Sequence, residues 1–225
     1  MAARSSTVPG TMREPAQEPR GAKGEPPGPD WAAYYRSTIG REPRPLFVKG
    51  MAAVEAAGAA PGQAVEVGFG DGRETLALLD AGWRVLAIDP TPAAAEVLRS
   101  QVPAQVAHRL EIRSVPAEDT RLPPFDLLYA GYALPFLAAD AFARFWNAAR
   151  DRLRPGGFLV VNFFGPHDSW AGREGMRFID EDAVRRLVDG LELLALDEED
   201  RDGDSFLGPK HWHVFDVVAR RPRDG

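Results

Sequence analysis

Short apolar segments alternate with helical patterns through the middle of the chain. Strand-like composition occurs at 65–69, 83–89, 109–115, 125–131 and 158–164, and helical spacing occurs at 73–81, 91–100 and 140–153. This alternation predicts right-handed crossovers and a parallel sheet covered by helices on both faces. A further helix at 180–190 precedes two strand-like segments, 191–200 and 211–220, which predict an antiparallel hairpin. The predicted fold class is α/β, a doubly wound, seven-stranded, mostly parallel (Rossmann-like) sheet that ends in a β-hairpin.

Composition excludes several classes of protein. The 225 residues are 44% hydrophobic and carry a net charge of -6, so bulk electrostatics does not recruit nucleic acid. The absence of cysteine excludes disulfides, thiolate nucleophiles and cysteine-based zinc sites. No segment resembles a secretory signal or a membrane span, and a cytoplasmic protein is expected. Residues 1–29, rich in proline and glycine, predict a flexible tail; a domain is expected over 30–225, with a helical lid at 30–60.

Three glycines follow the first strand at every second position. The pattern is E-x-G-x-G-x-G, formed by Glu66, Gly68, Gly70 and Gly72. A phosphate loop is excluded because the chain has no Gly-Lys pair, and a dinucleotide fingerprint requires glycine where Arg73 stands. The turn suits a ligand with an amino-acid end and no pyrophosphate. Glu66 is expected to help organise an ammonium group, directly or through water and backbone.

Further candidate ligand groups follow the next strands. Asp89, before Pro90, ends the second strand, where a carboxylate accepts hydrogen bonds from ribose hydroxyls. An acid at this position serves NAD and S-adenosylmethionine alike. Ala117 offers backbone, and Glu118 or Asp119 offers an acceptor, to an adenine amino group. Ala130 ends the fourth strand beside the glycine turn.

The motifs in combination resemble those of class I S-adenosylmethionine-dependent methyltransferases. They read "VEVGFGDG", "AIDP", "PAED", "FDLLYAGYALPF" and "LRPGGFLVVNFFGP" in chain order. Within that family, "YALPF", "FFGPHDSW" and "GPKHWHVF" are similar to tellurite-resistance-like or aconitate-type enzymes. The resemblance implies S-adenosylmethionine as cofactor and assigns its parts to residues. It places the methionine end at Glu66, Gly68, Phe69, Gly70 and Gly72, the ribose at Asp89 and Pro90, and the adenine at Ala117 and Glu118.

The methyl acceptor is expected beyond strands four and five. Tyr132 is a candidate contact for cofactor or substrate, or else a packing residue. His167 is a candidate base oriented by Asp168, unless both residues only cap a loop. Tyr34 and Tyr35 are candidate ligand contacts on the lid, unless their helix only docks on the sheet.

Two further features of the sequence are predicted to have no catalytic role. His211 and His213 stand two apart in a strand, but the sequence offers no third metal ligand nearby, and no metal is predicted. The acidic run 197–204 is predicted to form a solvated turn and strand end.

The function predicted is methyl transfer to a small molecule by in-line displacement. A peptide or protein side-chain methyltransferase and a non-catalytic module that binds the adenosyl cofactor are the alternatives. An NAD(P) oxidoreductase is disfavoured by Arg73 and by the terminal hairpin. The predicted partner is a small-molecule methyl acceptor, with neither nucleic acid nor membrane.

Overall fold

A computed structural model describes residues 30–223, so the tail predicted for 1–29 lies outside the described residues. Seven strands form one sheet in the order β3-β2-β1-β4-β5-β7-β6. They are Gln63–Val67 (β1), Arg84–Ile88 (β2), Leu110–Arg113 (β3), Phe125–Ala130 (β4), Leu153–Phe164 (β5), Glu192–Ser205 (β6) and Gly208–Arg220 (β7). The helices are Trp31–Thr38 (α1), Pro45–Ala56 (α2), Arg73–Asp80 (α3), Pro92–Gln101 (α4), Ala139–Arg152 (α5) and Glu181–Leu187 (α6).

The sheet confirms the predicted fold class. Strands β1 to β5 pair in parallel, and β7 runs antiparallel between β5 and β6. The strand order reverses between β1 and β4, which creates a crevice at the carboxyl ends of these strands. The central strands are buried on both faces, as their unbroken apolar composition indicates.

The segment predicted as a lid divides into two helices with different positions. Helix α2 packs on β5, and a Cβ added at Gly50 would lie 2.5 Å from Cγ1 of Val160. This glycine therefore permits a close helix–sheet approach. Helix α1 is capped by Asp30, whose side chain accepts a hydrogen bond from the Ala33 amide, and it lies nearer the crevice.

The terminal hairpin is longer than the sequence predicts. The turn predicted within 197–204 is wrong, because these residues form the end of β6 and pair with β7 up to the two-residue turn Phe206–Leu207. Most of them are exposed, as expected for a solvated strand end. Acidic residues on β6 face histidines on β7, and such cross-strand pairs stabilise a polar strand. Strand β7 pairs with β5 only over 214–220, so residues 200–213 form a two-stranded hairpin arm beyond β5.

Among residues 30–223, no helix is long and apolar enough to cross a membrane.

Candidate active site

The crevice widens into a cavity of about 870 Å³, within the size range of small-molecule sites. One side, here called the glycine half, is formed by residues 68–71, 89–91 and 116–118. The other side, here called the aromatic half, carries aromatic rings of the segment after β4, of β5 and the loop after it, and of the hairpin arm. Its rings are those of Tyr132, Phe136, Phe164, Trp170 and Trp212.

The glycine turn adopts a backbone that other residues rarely adopt. Gly68, Gly70 and Gly72 have φ of 71°, 52° and 80°. A Cβ added at Gly70 would lie 2.9 Å from Cε1 of Tyr35, so the bare backbone also allows this ring to pack closely. Gly68 and Gly70 line the cavity, with Phe69 between them, whereas Gly72 caps α3 and lies outside the lining.

Asp89 holds a fixed carboxylate at the end of β2. Its Oδ1 accepts from the Thr91 amide at 2.9 Å, and its Oδ2 accepts from the Gly70 amide at 3.1 Å and from the Tyr35 hydroxyl at 3.4 Å. Burial raises the pKa of Asp89, and the backbone donors oppose that rise. These contacts orient an acceptor group at the wall of the glycine half.

Glu66 lies beneath the turn and does not line the cavity. Its Oε2 accepts from the Thr75 hydroxyl at 2.5 Å. Burial, followed by the charge of Glu74, raises the pKa of Glu66 well above its usual value. Glu66 therefore supports the turn through α3, and toward an ammonium group it would act through the backbone, one of the alternatives expected for it.

Two other acids and an arginine occupy the place expected for Glu66. Asp71 and Glu74 line the cavity, and Arg41 bridges them with Nε 2.8 Å from Asp71 Oδ2 and Nη2 2.6 Å from Glu74 Oε2. Asp71 stands within the glycine motif and Glu74 in the first turn of α3 directly after it, so both acids could have been recognised from the sequence. Arg41 was missed because 30 residues separate it from Asp71.

A second arginine, Arg44, lies between the two halves. Its Nη2 donates to the Tyr34 hydroxyl at 3.0 Å, and its guanidinium lies 4.9 Å from the centre of the Tyr132 ring. Within the described part of the chain, none of the ion pairs involves Arg44, whereas Arg41 is paired with two carboxylates. The Arg44 guanidinium therefore offers free donors for an anionic group.

Tyr132 is held in a strained conformation beside the glycine turn. Its φ of 58° is the one positive value at a non-glycine residue within 30–223. Its amide donates to Oδ1 of the buried Asn162 at 2.8 Å, which holds the residue in place. Burial raises the pKa of Tyr132 to about 12, so the phenol stays protonated at neutral pH. The structure thus brings this predicted residue to the cavity, as a hydrogen-bonding group rather than a base.

Asp168 anchors the aromatic half from behind. It forms an ion pair with Lys210, in which both side chains are fully buried, and it accepts from the Trp170 amide at 2.9 Å. The Lys210 ammonium lies 4.4 Å from the Trp170 ring centre and 4.2 Å from that of Trp212. Asp168 does not line the cavity, and its contacts are those of a structural residue.

His167 lies on the outer face of the hairpin arm. Its side chain is 65% exposed, its Nδ1 lies 2.8 Å from Asp200 Oδ2, and its ring stacks on His213 at 4.5 Å. His213 in turn contacts Glu198 at 2.8 Å. Possible metal-ligand atoms of His167, Asp200 and His213 lie within 4.8 Å of one another. The two imidazole rings are stacked nearly parallel, so their nitrogens do not point toward one common position. The structure therefore does not bring His167 or Asp168 to the cavity that holds Tyr132.

The other residues predicted to contact a ligand also fall into two groups, those that line the cavity and those that do not. Tyr34, Tyr35, Pro90, Ala117 and Glu118 line the cavity, whereas Ala130 is buried in β4 and its neighbour Gly131 takes that place. The adenine segment forms a short 3₁₀ turn over Ala117–Asp119. The glycine half thus combines an exposed backbone, an oriented carboxylate and a turn at β3, a set that fits an adenosyl group carrying an amino acid.

The hairpin arm reaches across the cavity to α1. The rings of Phe206, at the tip of the arm, and Tyr34 meet edge to face with centroids 5.2 Å apart. Both residues line the cavity, so this contact forms a bridge over it. The sequence did not predict the bridge, because its prediction ended β6 at residue 200.

Comparison with known proteins agrees with this geometry. Residues 65–161 match the family model described as Methyltransferase domain. The matched segment begins within β1 and ends within β5. No curated protein matches the sequence.

Several solved structures share the fold at low sequence identity. TehB from Haemophilus influenzae has a TM-score of 0.64 at 14% identity, over 85% of this chain and 67% of that one. N-methyltransferase NodS from Bradyrhizobium japonicum WM9, solved with S-adenosyl-L-homocysteine, gives 0.60 at 16%, over 86% and 98%. The Burkholderia thailandensis 1,6-didemethyltoxoflavin-N1-methyltransferase gives 0.56 at 18%, over 85% and 87%.

The sheet, with this strand order and this glycine half, has the fold of solved S-adenosylmethionine-dependent methyltransferases. Residues 65–161 match a methyltransferase domain, and S-adenosylmethionine is the cofactor that this match indicates.

Proposed function

We propose that this enzyme transfers the methyl group to a small molecule bound in the aromatic half of the cavity. The observation that carries the proposal is the bridge between Tyr34 and Phe206, which covers a cavity whose two halves differ in chemistry. A bridged cavity suits a small molecule better than an extended polypeptide, which needs a continuous groove. The Burkholderia thailandensis enzyme named above is solved with bound 1,6-didemethyltoxoflavin, whereas another solved relative, MtfA, is a glycopeptide N-methyltransferase, so relatives alone do not decide the acceptor.

In this proposal the glycine half holds the cofactor. Asp89 accepts hydrogen bonds from the ribose hydroxyls, and the turn at Ala117 and Glu118 contacts the adenine. Asp71, beside the bare backbone of the glycine turn, faces the ammonium of the methionine end. Arg44 donates to its carboxylate, since its guanidinium has free donors. Bound S-adenosylmethionine supplies an electrophilic methyl group on a sulfonium.

The protein's contribution to the reaction is mainly alignment. Methyl transfer by in-line displacement needs the acceptor atom held close to the methyl group, and orientation of this kind contributes roughly 7–11 kcal/mol to lowering a barrier. Tyr132, fixed between Arg44 and Trp212, lies where the two halves meet and orients the acceptor by its protonated phenol. The rings around it exclude water from the acceptor.

The test pairs cofactor binding with methyl release. Calorimetry should detect S-adenosylhomocysteine binding, and radiolabelled methyl from S-adenosylmethionine should appear on members of a small-metabolite panel. A peptide and protein panel serves as the comparison. Transfer to peptides with none to metabolites would overturn the small-molecule assignment, and cofactor binding without any transfer would favour the non-catalytic alternative.

A further inference from the structure

The aromatic half is a continuous chamber of rings. Phe164 lies 6.2 Å from Phe136, 6.3 Å from Trp170 and 6.0 Å from Trp212, measured between ring centroids, and Tyr132 lies 5.7 Å from Trp212. All five rings line the cavity. Edge-to-face pairs predominate, so the chamber presents both ring faces and ring edges to an occupant.

Cations lie against the rings of the chamber. The Lys210 ammonium, paired with Asp168, lies behind the rings of Trp170 and Trp212. The guanidinium of Arg44 lies 4.9 Å from the Tyr132 ring centre, and that of Arg173 lies 4.7 Å from the Trp170 ring centre. These cations hold the rings in place and leave their remaining faces and edges to an aromatic occupant.

From these two features we infer that the methyl acceptor is a planar aromatic or heteroaromatic compound whose ring stacks in this chamber. The inference rests on the proposed function, because it names the class of acceptor for the same site. A flat ring makes offset-stacked or edge-to-face contacts that stabilise it beyond the burial of its apolar area. A saturated ring of equal size is stabilised only by the burial of its apolar area.

The experiment compares two probes that share a skeleton and a hydroxyl group, 2-naphthol and decahydro-2-naphthol. Each is titrated by calorimetry into the enzyme saturated with S-adenosylhomocysteine. We expect 2-naphthol to bind about tenfold more tightly, which corresponds to about 1.4 kcal/mol from two such ring contacts. Equal affinities, or no binding of 2-naphthol, would overturn the inference.

A pair of variants tests whether the preference for an aromatic probe depends on the rings of the chamber. Trp170→Leu removes a ring that lines the chamber, and Phe178→Leu removes one that contacts Phe164 at 6.1 Å from outside it. The aromatic preference should fall severalfold in Trp170→Leu and stay unchanged in Phe178→Leu. Equal loss in both variants would indicate a general packing effect and count against the chamber.

The readouts separate this inference from the proposed function. If S-adenosylhomocysteine does not bind, the proposed function itself fails. If it binds and the aromatic preference is absent, only the acceptor class is wrong.

Discussion

The two halves of the cavity are assembled in different ways. The glycine half comes from residues 68 to 118, where consecutive strand ends place their loops side by side. The aromatic half gathers rings from Tyr132 to Trp212, which lie on the segment after β4, on β5 and the loop after it, and on the hairpin arm. A site made from successive β-α units is therefore visible in a local motif, whereas a site made by distant elements becomes visible only in the fold.

The largest expected effect is a loss of stability in Asp168→Ala, a change behind the aromatic half. The variant leaves the Lys210 ammonium buried without its partner, which typically costs about 3–5 kcal/mol of unfolding free energy. Urea denaturation should show this loss, and the exposed Asp80→Ala should show little change. The double variant Asp168→Leu, Lys210→Met should recover much of the stability, because no unpaired charge remains. Equal losses in the single and double variants would contradict the charge explanation.

A second expected effect concerns Asp216, which faces Asn162 across β5 and β7. Burial raises the pKa of Asp216 to about 6, so the folded state holds this proton more tightly than the unfolded state. The resulting stability is present below the ordinary pKa and is lost as pH rises through 6. Relative to wild type, Asp216→Asn should therefore gain about 2 kcal/mol in unfolding free energy between pH 4 and pH 7. A constant difference between the two proteins across this range would show that Asp216 does not titrate as inferred.

The glycine half is tested most directly by Asp89→Asn. The variant keeps an oxygen acceptor but loses the charge that strengthens hydrogen bonds to ribose. Calorimetry should show S-adenosylhomocysteine binding weakened about tenfold or more, with thermal stability nearly unchanged. Binding of the acceptor probe 2-naphthol to the saturated variant should match wild type. Unaltered cofactor affinity would remove Asp89 from the ribose contact.

The smallest effect is expected from His167→Ala. Its imidazole lies on the outer face of the hairpin arm with Asp200, away from the cavity. Turnover with the best acceptor should change less than about twofold, and a surface change of this kind usually shifts stability by no more than about 0.5 kcal/mol. His108→Ala, at an exposed histidine distant in sequence, is the matched control. A large loss of turnover with unchanged cofactor affinity would restore His167 as a base.

Periodicity and strand composition predicted the sheet, because buried strands and amphipathic helices are specified by local sequence. The motif from Gly68 to Asp89 predicted the glycine half for the same reason, although the acids that line the cavity beside the turn are Asp71 and Glu74 rather than Glu66. A spacing pattern locates the turn but does not say which nearby carboxylate faces outward.

The aromatic half was less predictable because it depends on the hairpin arm. The run 197–204 looked like a solvated turn, and only its pairing with β7 shows that it projects beyond β5. His167 and Asp168 were expected at the rim because they follow a strand end. The loop instead turns toward β7, where the Gly165 amide donates to the His213 carbonyl at 2.7 Å.

The bridge between Tyr34 and Phe206 also has a kinetic consequence. It joins an early helix to a late hairpin through one aromatic pair, a contact worth about 0.5–1.5 kcal/mol. A closure this weak separates readily, so methylated product and spent cofactor can escape without unfolding either element. The residence time of the product in the cavity should then depend on Phe206 at the tip of the arm. Shortening the Phe206 side chain should speed product release before it affects the methyl-transfer step.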